Sequence, residues 1–125
     1  MILDTCAVLW LASGSSKISR KTLDRINREP AIYVSAITSF EIALKTANGK
    51  LSLPLPVRDW FDQVVEKHGL SIISLDPKIC IEAAHLPPNH DDPCDRFIVS
   101  TAKINGWIVV TADERFESYG VEVCC

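Results

Sequence analysis

The 125-residue chain has no run of about 18 apolar residues, so no membrane-spanning helix is expected. At the N-terminus no basic segment precedes an apolar one, and Asp4 interrupts the first apolar stretch at once. A secretory signal peptide is therefore not expected. Cysteine pairing is also missing. Cys6, Cys80, Cys94, Cys124 and Cys125 make an odd number, no C-x-x-C pair occurs, and the last two are adjacent. That usage fits a reducing, cytoplasmic location better than a disulfide framework. A zinc site drawn from His85, His90 and Cys94 has an unfamiliar spacing and no apparent fourth ligand. Finally, basic charge is not in excess: the formal net charge is −3. This argues against simple electrostatic binding of nucleic acid. It is compatible with a nuclease whose acidic site attracts divalent cations that then meet a phosphate.

What is present suits one ordinary globular domain over residues 1–125, with 47% hydrophobic and 23% charged residues. There is no internal repeat, low-complexity tract or linker. A strand is predicted over 2–4, then a short helix over 7–11, a loop over 13–16 and a helix over 17–28. Pro30 ends that helix. A β-branched and aromatic strand follows over 31–35, then a helix over 36–48 closed by Gly49. Residues 53–56 form a rigid connector, and 57–68 an amphipathic helix with Val57, Trp60, Phe61, Val64 and Val65 on one face. A third strand spans 70–75. Asp76-Pro77 and Asp92-Pro93 each open a helix, as an Asp cap before Pro at the first helical position. These helices run to about 86 and 105. The most apolar strand is predicted over 107–111, a loop or single turn over 112–117 and a short strand over 121–123. Strands alternate with helices throughout, so the expected fold is α/β: about five parallel strands with helices on both faces.

Four acidic residues fall where such a sheet would place them together. Asp4 directly follows the first strand, and aspartate is depleted in strands and costly to bury unpaired. It reads either as the cap of the next helix or as a cation ligand in the cleft. Glu41 either completes a capping box with Thr38 or, if its helix begins just after Ser35, projects from the second turn. Lys45, four residues on, can pair with it in either case. Asp92 matches Asp76 in form and reads mostly as a cap, whereas Asp95, in the first turn behind it, reads either as a charge that favours the helix dipole or as a residue that enters the cleft, the latter preferred. Arg96 beside it is a candidate partner for a carboxylate or a phosphate. Asp113 closes the last apolar strand, as a turn residue or a site residue. Thr5, Ser35 and Thr111 are candidate supporting hydroxyls. Four like charges at one edge repel unless a cation holds them, and an all-oxygen set suits Mg²⁺ or Mn²⁺. Lys17, Arg20, Lys21, Arg25 and Arg28 read as a solvated face or as an RNA-backbone stripe, the former preferred. Trp10, Trp60 and Phe61 read as core before they read as a docking surface.

Ile2-Leu-Asp4-Thr5, Ser35-x₅-Glu41-Ile-Ala-x-Lys45, His90-x-Asp92-Pro-x-Asp95-Arg96 and Thr111-Ala-Asp113 occur in that order. Together they resemble the acidic motifs of PIN-domain ribonucleases, and more closely those of VapC-like toxins of prokaryotic type II toxin–antitoxin pairs. The resemblance covers essentially the whole chain. It implies a three-layer PIN-like fold and an endoribonuclease dependent on Mg²⁺ or Mn²⁺, with Asp4, Glu41, Asp95 and Asp113 as the acidic residues. It also implies a homodimer neutralised by a small VapB-like antitoxin whose C-terminal segment covers the cleft. Cys94 departs from the aromatic residue of many relatives, and Phe40 from a tryptophan that often precedes the glutamate. The Cys124-Cys125 tail lies outside the motifs. Two rival classes remain. A haloacid-dehalogenase-type phosphatase also begins with a strand and an aspartate, but its D-x-D pattern meets Cys6 here. A receiver-like or degenerate module would bind a partner without cleaving RNA.

Overall fold

Asp4 and Gly14 bracket the first helix of the computed structural model, which describes residues 1–89 and 91–125. The strand β1, Ile2–Leu3, is only two residues long because Asp4 ends it by turning into a cap. The Asp4 carboxylate accepts the Ala7 N–H at 2.7 Å and starts α1, Thr5–Ser13, which is longer at both ends than the predicted 7–11. Gly14, with φ 67°, terminates it in the left-handed conformation that glycine adopts without cost.

The second helix, α2 (Arg20–Arg28), begins three residues later than expected. Ile18 is driven into the core at 2% exposure, and Ser19 caps the helix through the Thr22 N–H at 3.1 Å. Lys17 is therefore off the helix, its ammonium 5.4 Å from the centre of the Trp10 ring. The strand β2 (Ile32–Ser35) runs directly into α3 (Ala36–Ala47), capped by Ser35. The next elements are α4 (Val57–Lys67), β3 (Leu70–Ile73), α5 (Pro77–His85) and α6 (Pro93–Asn105). Asp76 and Asp92 cap α5 and α6 as their Asp-Pro pairs predict.

The chain closes with β4 (Val109–Val110), a 3-10 helix (Glu114–Tyr119) where a loop or single turn was expected, and β5 (Val123–Cys124). Beyond one-residue trims of β1 and β2, three strands differ from expectation. The predicted 70–75 stops at Ile73 because its partner stops: Ile73 faces Ser35, the last residue of β2. The predicted 107–111 narrows because Trp107 instead stacks on Tyr33, ring centres 3.9 Å apart. The predicted 121–123 shifts to 123–124 because Val110 pairs with Cys124, so one tail cysteine is part of the sheet.

The five strands are all parallel, in the order β3-β2-β1-β4-β5. Successive residues of each strand face opposite cores. Leu3, Val34 and Val110 pack with Val8, Ile26, Ile42, Trp60, Phe61 and Val64 on one side. Ile2 and Val109 pack with Ile98, Val99, Ala102, Phe116 and Tyr119 on the other. Helices thus cover both faces, as an all-parallel sheet requires. Trp60 and Phe61 are core residues, as expected. Among the described residues, no helix is long and apolar enough to cross a membrane. Connections leave β1 toward β2 on one side and reach β4 on the other, so the chain order reverses between β1 and β4. Ligands of open α/β sheets bind at the carboxyl edge of such a reversal.

Candidate active site

Four of the acidic side chains approach that edge from four different elements. Asp4 leaves the end of β1, Glu41 the second turn of α3, Asp95 the first turn of α6, and Asp113 the segment after β4. With Asp92 they line a single cavity of about 340 Å³, together with Lys45, Arg115, Thr5, Cys6 and Trp10.

Asp4 is 6% exposed and is both a cap and a cavity residue, so the two readings of its sequence position are compatible. The Thr111 hydroxyl donates to its carboxylate and accepts the Asp113 N–H at 3.0 Å, tying the ends of β1 and β4 together. Burial raises the Asp4 pKa; the bonds from Thr111 and Ala7 oppose the rise, and the charges of Glu41 and Asp113 add to it.

Glu41 is 7% exposed. Because Ser35 caps α3, Glu41 sits in its second turn and no capping box with Thr38 forms. Its Oε1 instead accepts the Thr5 hydroxyl at 2.5 Å, and its Oε2 lies 3.4 Å from Lys45 Nζ. Burial lowers the Lys45 pKa, but the charge of Glu41 and their hydrogen bond raise it on balance. Asp92 caps α6 by accepting the Cys94 N–H at 2.9 Å, yet it also faces the cavity. Asp95 feels the most: burial, then the charges of Asp92, Glu41, Asp4 and Asp113, push its pKa up to about 7. Asp113 caps the 3-10 helix and accepts two bonds from the Arg115 guanidinium, Nε to Oδ1 at 3.0 Å and Nη2 to Oδ2 at 2.8 Å.

Of the supporting hydroxyls, Thr5 and Thr111 hold Glu41 and Asp4, whereas Ser35 bonds the Ile37 N–H as the cap of α3. Arg96 does not face a carboxylate or a phosphate. Its guanidinium donates to the carbonyls of Ala83, Ala84, Leu86 and Pro87, at 3.2, 3.5, 2.6 and 2.9 Å, and so closes the C-terminal end of α5. The carbonyls of Ala83 and Ala84 face Pro87 and Pro88, which have no N–H to offer them, and this makes the end of α5 a strong attraction for the guanidinium. Arg115 is a cavity residue that the sequence does not single out, because one arginine in a polar turn carries no periodic signal; only its spacing of two from Asp113 marks it. In the zinc alternative, His90 lies outside the described residues, and burial raises the Cys94 pKa to about 11, so its sulfur is held as a thiol.

The acidic lining fits a hard divalent cation: five carboxylates face the cavity, and burial, with neighbouring charge adding to it, holds Asp4 and Asp95 above their ordinary pKa. Like charges stand apart, and among the described residues no three His, Cys, Asp or Glu side chains already converge around one point.

A parallel sheet enclosed by helices, with acidic side chains from four elements lining one cavity where the chain reverses, defines an α/β protein of the PIN type. The family model for the PIN domain matches residues 1–122, and the chain belongs to that family. It is 29% identical over 120 residues to Ribonuclease VapC22 of Mycobacterium tuberculosis, covering 95% of this chain and 91% of that protein. Its fold matches a chain of VapBC2 from Rickettsia felis, solved with a fragment of promoter DNA, with a TM-score of 0.72 and 16% identity over 98% of this chain and 95% of that one. It also matches DNA-bound VapBC from Salmonella typhimurium (TM-score 0.70, 20% identity, 98% and 94% coverage). A third match is FitAcB from Neisseria gonorrhoeae (0.66, 22%, 99% and 96%). At those identities the structural matches speak for the fold.

Proposed function

We propose that this protein is an endoribonuclease toxin of a type II toxin–antitoxin pair, hydrolysing RNA phosphodiester bonds with Mg²⁺ or Mn²⁺ at Asp4, Glu41, Asp95 and Asp113. The observation that carries the reading is the single cavity into which five carboxylates open at the sheet's carboxyl edge, with Asp95 held near a pKa of 7. Such crowding is costly in a resting fold and is useful to a protein that binds cations. The likeness to Ribonuclease VapC22 supports RNA as substrate.

In this mechanism Asp4 and Asp95 are the principal cation ligands, and Glu41 and Asp113 complete the site directly or through water. Bound there, the cation supplies an acidified water and positive charge beside the phosphate. Thr111 and Thr5 fix the rotamers of Asp4 and Glu41, so little reorganisation is left for the moment of binding. Lys45 offsets the charge of Glu41. With its pKa pushed up to about 7, Asp95 would have to release its proton to hold a cation near neutral pH. The VapBC likeness supports a VapB-like antitoxin as protein partner, and the homodimer that the motif resemblance implies is proposed with it.

The test is cleavage of a mixed structured RNA pool by purified protein with Mn²⁺, Mg²⁺ or EDTA, beside Asp4→Asn. Asparagine can still cap α1, so the variant should fold. Metal-dependent cleavage that falls by roughly a hundredfold or more in the variant is the expected result. Equal cleavage by Asp4→Asn refutes the site. No RNA loss with any divalent ion points instead to a binding module.

A further inference from the structure

The ribonuclease reading leaves open how a site this acidic accepts a polyanion. Among the described residues, five carboxylates share the cavity wall with two cations, Lys45 and Arg115. One divalent ion would not neutralise that set, so an approaching phosphodiester needs a cation of the protein's own.

The basic residues near the cavity differ sharply in what they have left to offer. Arg96 is committed to four backbone carbonyls of the α5 end. Lys45 is paired with buried Glu41, its side chain only 34% exposed. Lys17 rests over the Trp10 ring and is not part of the cavity wall. Arg115 is the exception: its side chain is 59% exposed and lines the cavity. Asp113 engages one edge of the guanidinium, through Nε and Nη2. The backbone N–H of Arg115 also donates to Asp113 Oδ1 at 3.0 Å, so the base and the head of this side chain are held by one carboxylate. The fork between Nη1 and Nη2 remains, and two parallel N–H donors match two oxygens of a phosphate.

We propose that Arg115, braced on Asp113, is the substrate-binding cation of this site, gripping the non-bridging oxygens of the RNA phosphate through the Nη1–Nη2 edge of its guanidinium. Asp113 then has two tasks, as a member of the acidic set and as the brace that fixes this arginine. No movement of the pair is required, because the engaged and offered edges of the guanidinium are different.

The inference rests on the ribonuclease reading, and the experiment separates the two. Wild type, Arg115→Ala and Arg115→Lys are compared for RNA cleavage across a Mn²⁺ titration. Each is also tested for binding a fluorescent single-stranded RNA in Ca²⁺. Loss of a charge-assisted bond to phosphate predicts that Arg115→Ala binds RNA roughly tenfold more weakly and loses roughly thirtyfold in kcat/KM, mostly in KM. Lysine keeps the charge without the fork and should recover part of the loss. Excess Mn²⁺ should not restore Arg115→Ala. If excess Mn²⁺ does restore it, Arg115 serves only to position Asp113 for the cation, and the proposal fails. If wild type cleaves RNA and Arg115→Ala matches it in both assays, the Arg115 assignment alone fails. If wild type neither binds nor cleaves RNA, the ribonuclease reading fails and takes this inference with it.

Discussion

Removing the charge of Asp95 should stabilise the metal-free protein, by an amount that grows as pH rises from about 4 to about 7 and is full above that. The folded pKa of about 7 lies above the ordinary 3.8, so the fold holds this proton more tightly than the unfolded chain does. The stability that results is complete below the ordinary value and is lost as pH rises through about 7. A difference of about 3 in pKa corresponds to about 4 kcal/mol for a fully buried group. Asp95 is only half-buried in an open cavity, and solvent screening reduces the figure to about 2 kcal/mol. The neutral amide of Asp95→Asn would also forfeit about 0.5 kcal/mol of favourable charge at the start of α6. The net gain for Asp95→Asn is then about 1.5 kcal/mol at pH 8, or about 6 °C in Tm for a chain of this size. At pH 3, below the ordinary value, Asp95 is protonated in the folded and the unfolded chain alike, and the two proteins should melt together. The assay is thermal unfolding by far-ultraviolet circular dichroism in EDTA at both pH values. Adding Mn²⁺ at pH 8 should reverse the order, because wild type gains a ligand that the variant holds poorly. An Asp95→Asn protein that melts at or below wild type at pH 8 in EDTA, or whose advantage is the same at pH 3, would refute the argument from burial and neighbouring charge.

Two further outcomes follow from contacts remote from the acids' own chemistry. Thr5→Val keeps the side-chain shape but deletes the 2.5 Å bond to buried Glu41, and should cost about 1.5–3 kcal/mol in urea denaturation. Arg96→Met should cost about 2–3 kcal/mol by the same measurement, because the carbonyls of Ala83, Ala84 and Leu86 lose this donor. RNA cleavage per folded molecule should hardly change in Arg96→Met, whereas an arginine acting on phosphate would have taken activity with it.

The alternation of strands and helices, and hence a parallel α/β sheet, was legible in the sequence because it depends on local periodicity. So were the helix starts at Asp76-Pro77 and Asp92-Pro93, which need only a carboxylate two or three residues before an unbonded N–H. The four acids were legible as a set because each follows a strand or opens a helix, and the carboxyl edge of a parallel sheet gathers such positions. The family's order of motifs pointed the same way, and residues 1–122 match its model.

What stayed hidden depended on partners distant in sequence. The end of β3 is set by the end of β2, and the position of β5 by its pairing with Val110. The late start of α2 follows from the demand of the core for Ile18. Arg96 stands beside Asp95 in sequence, yet its guanidinium turns to carbonyls 9 to 13 residues earlier. Thr5 meets Glu41 across 36 residues. Asp4 and Asp113 each prove to be cap and cavity residue at once, a choice that sequence presented as either one or the other. Local sequence determines which backbone groups need caps and which faces are apolar. Only packing decides where a long charged side chain finds its partner and how strongly neighbouring carboxylates repel. The elevated pKa of Asp95 and the brace on Arg115 therefore belong to the tertiary structure.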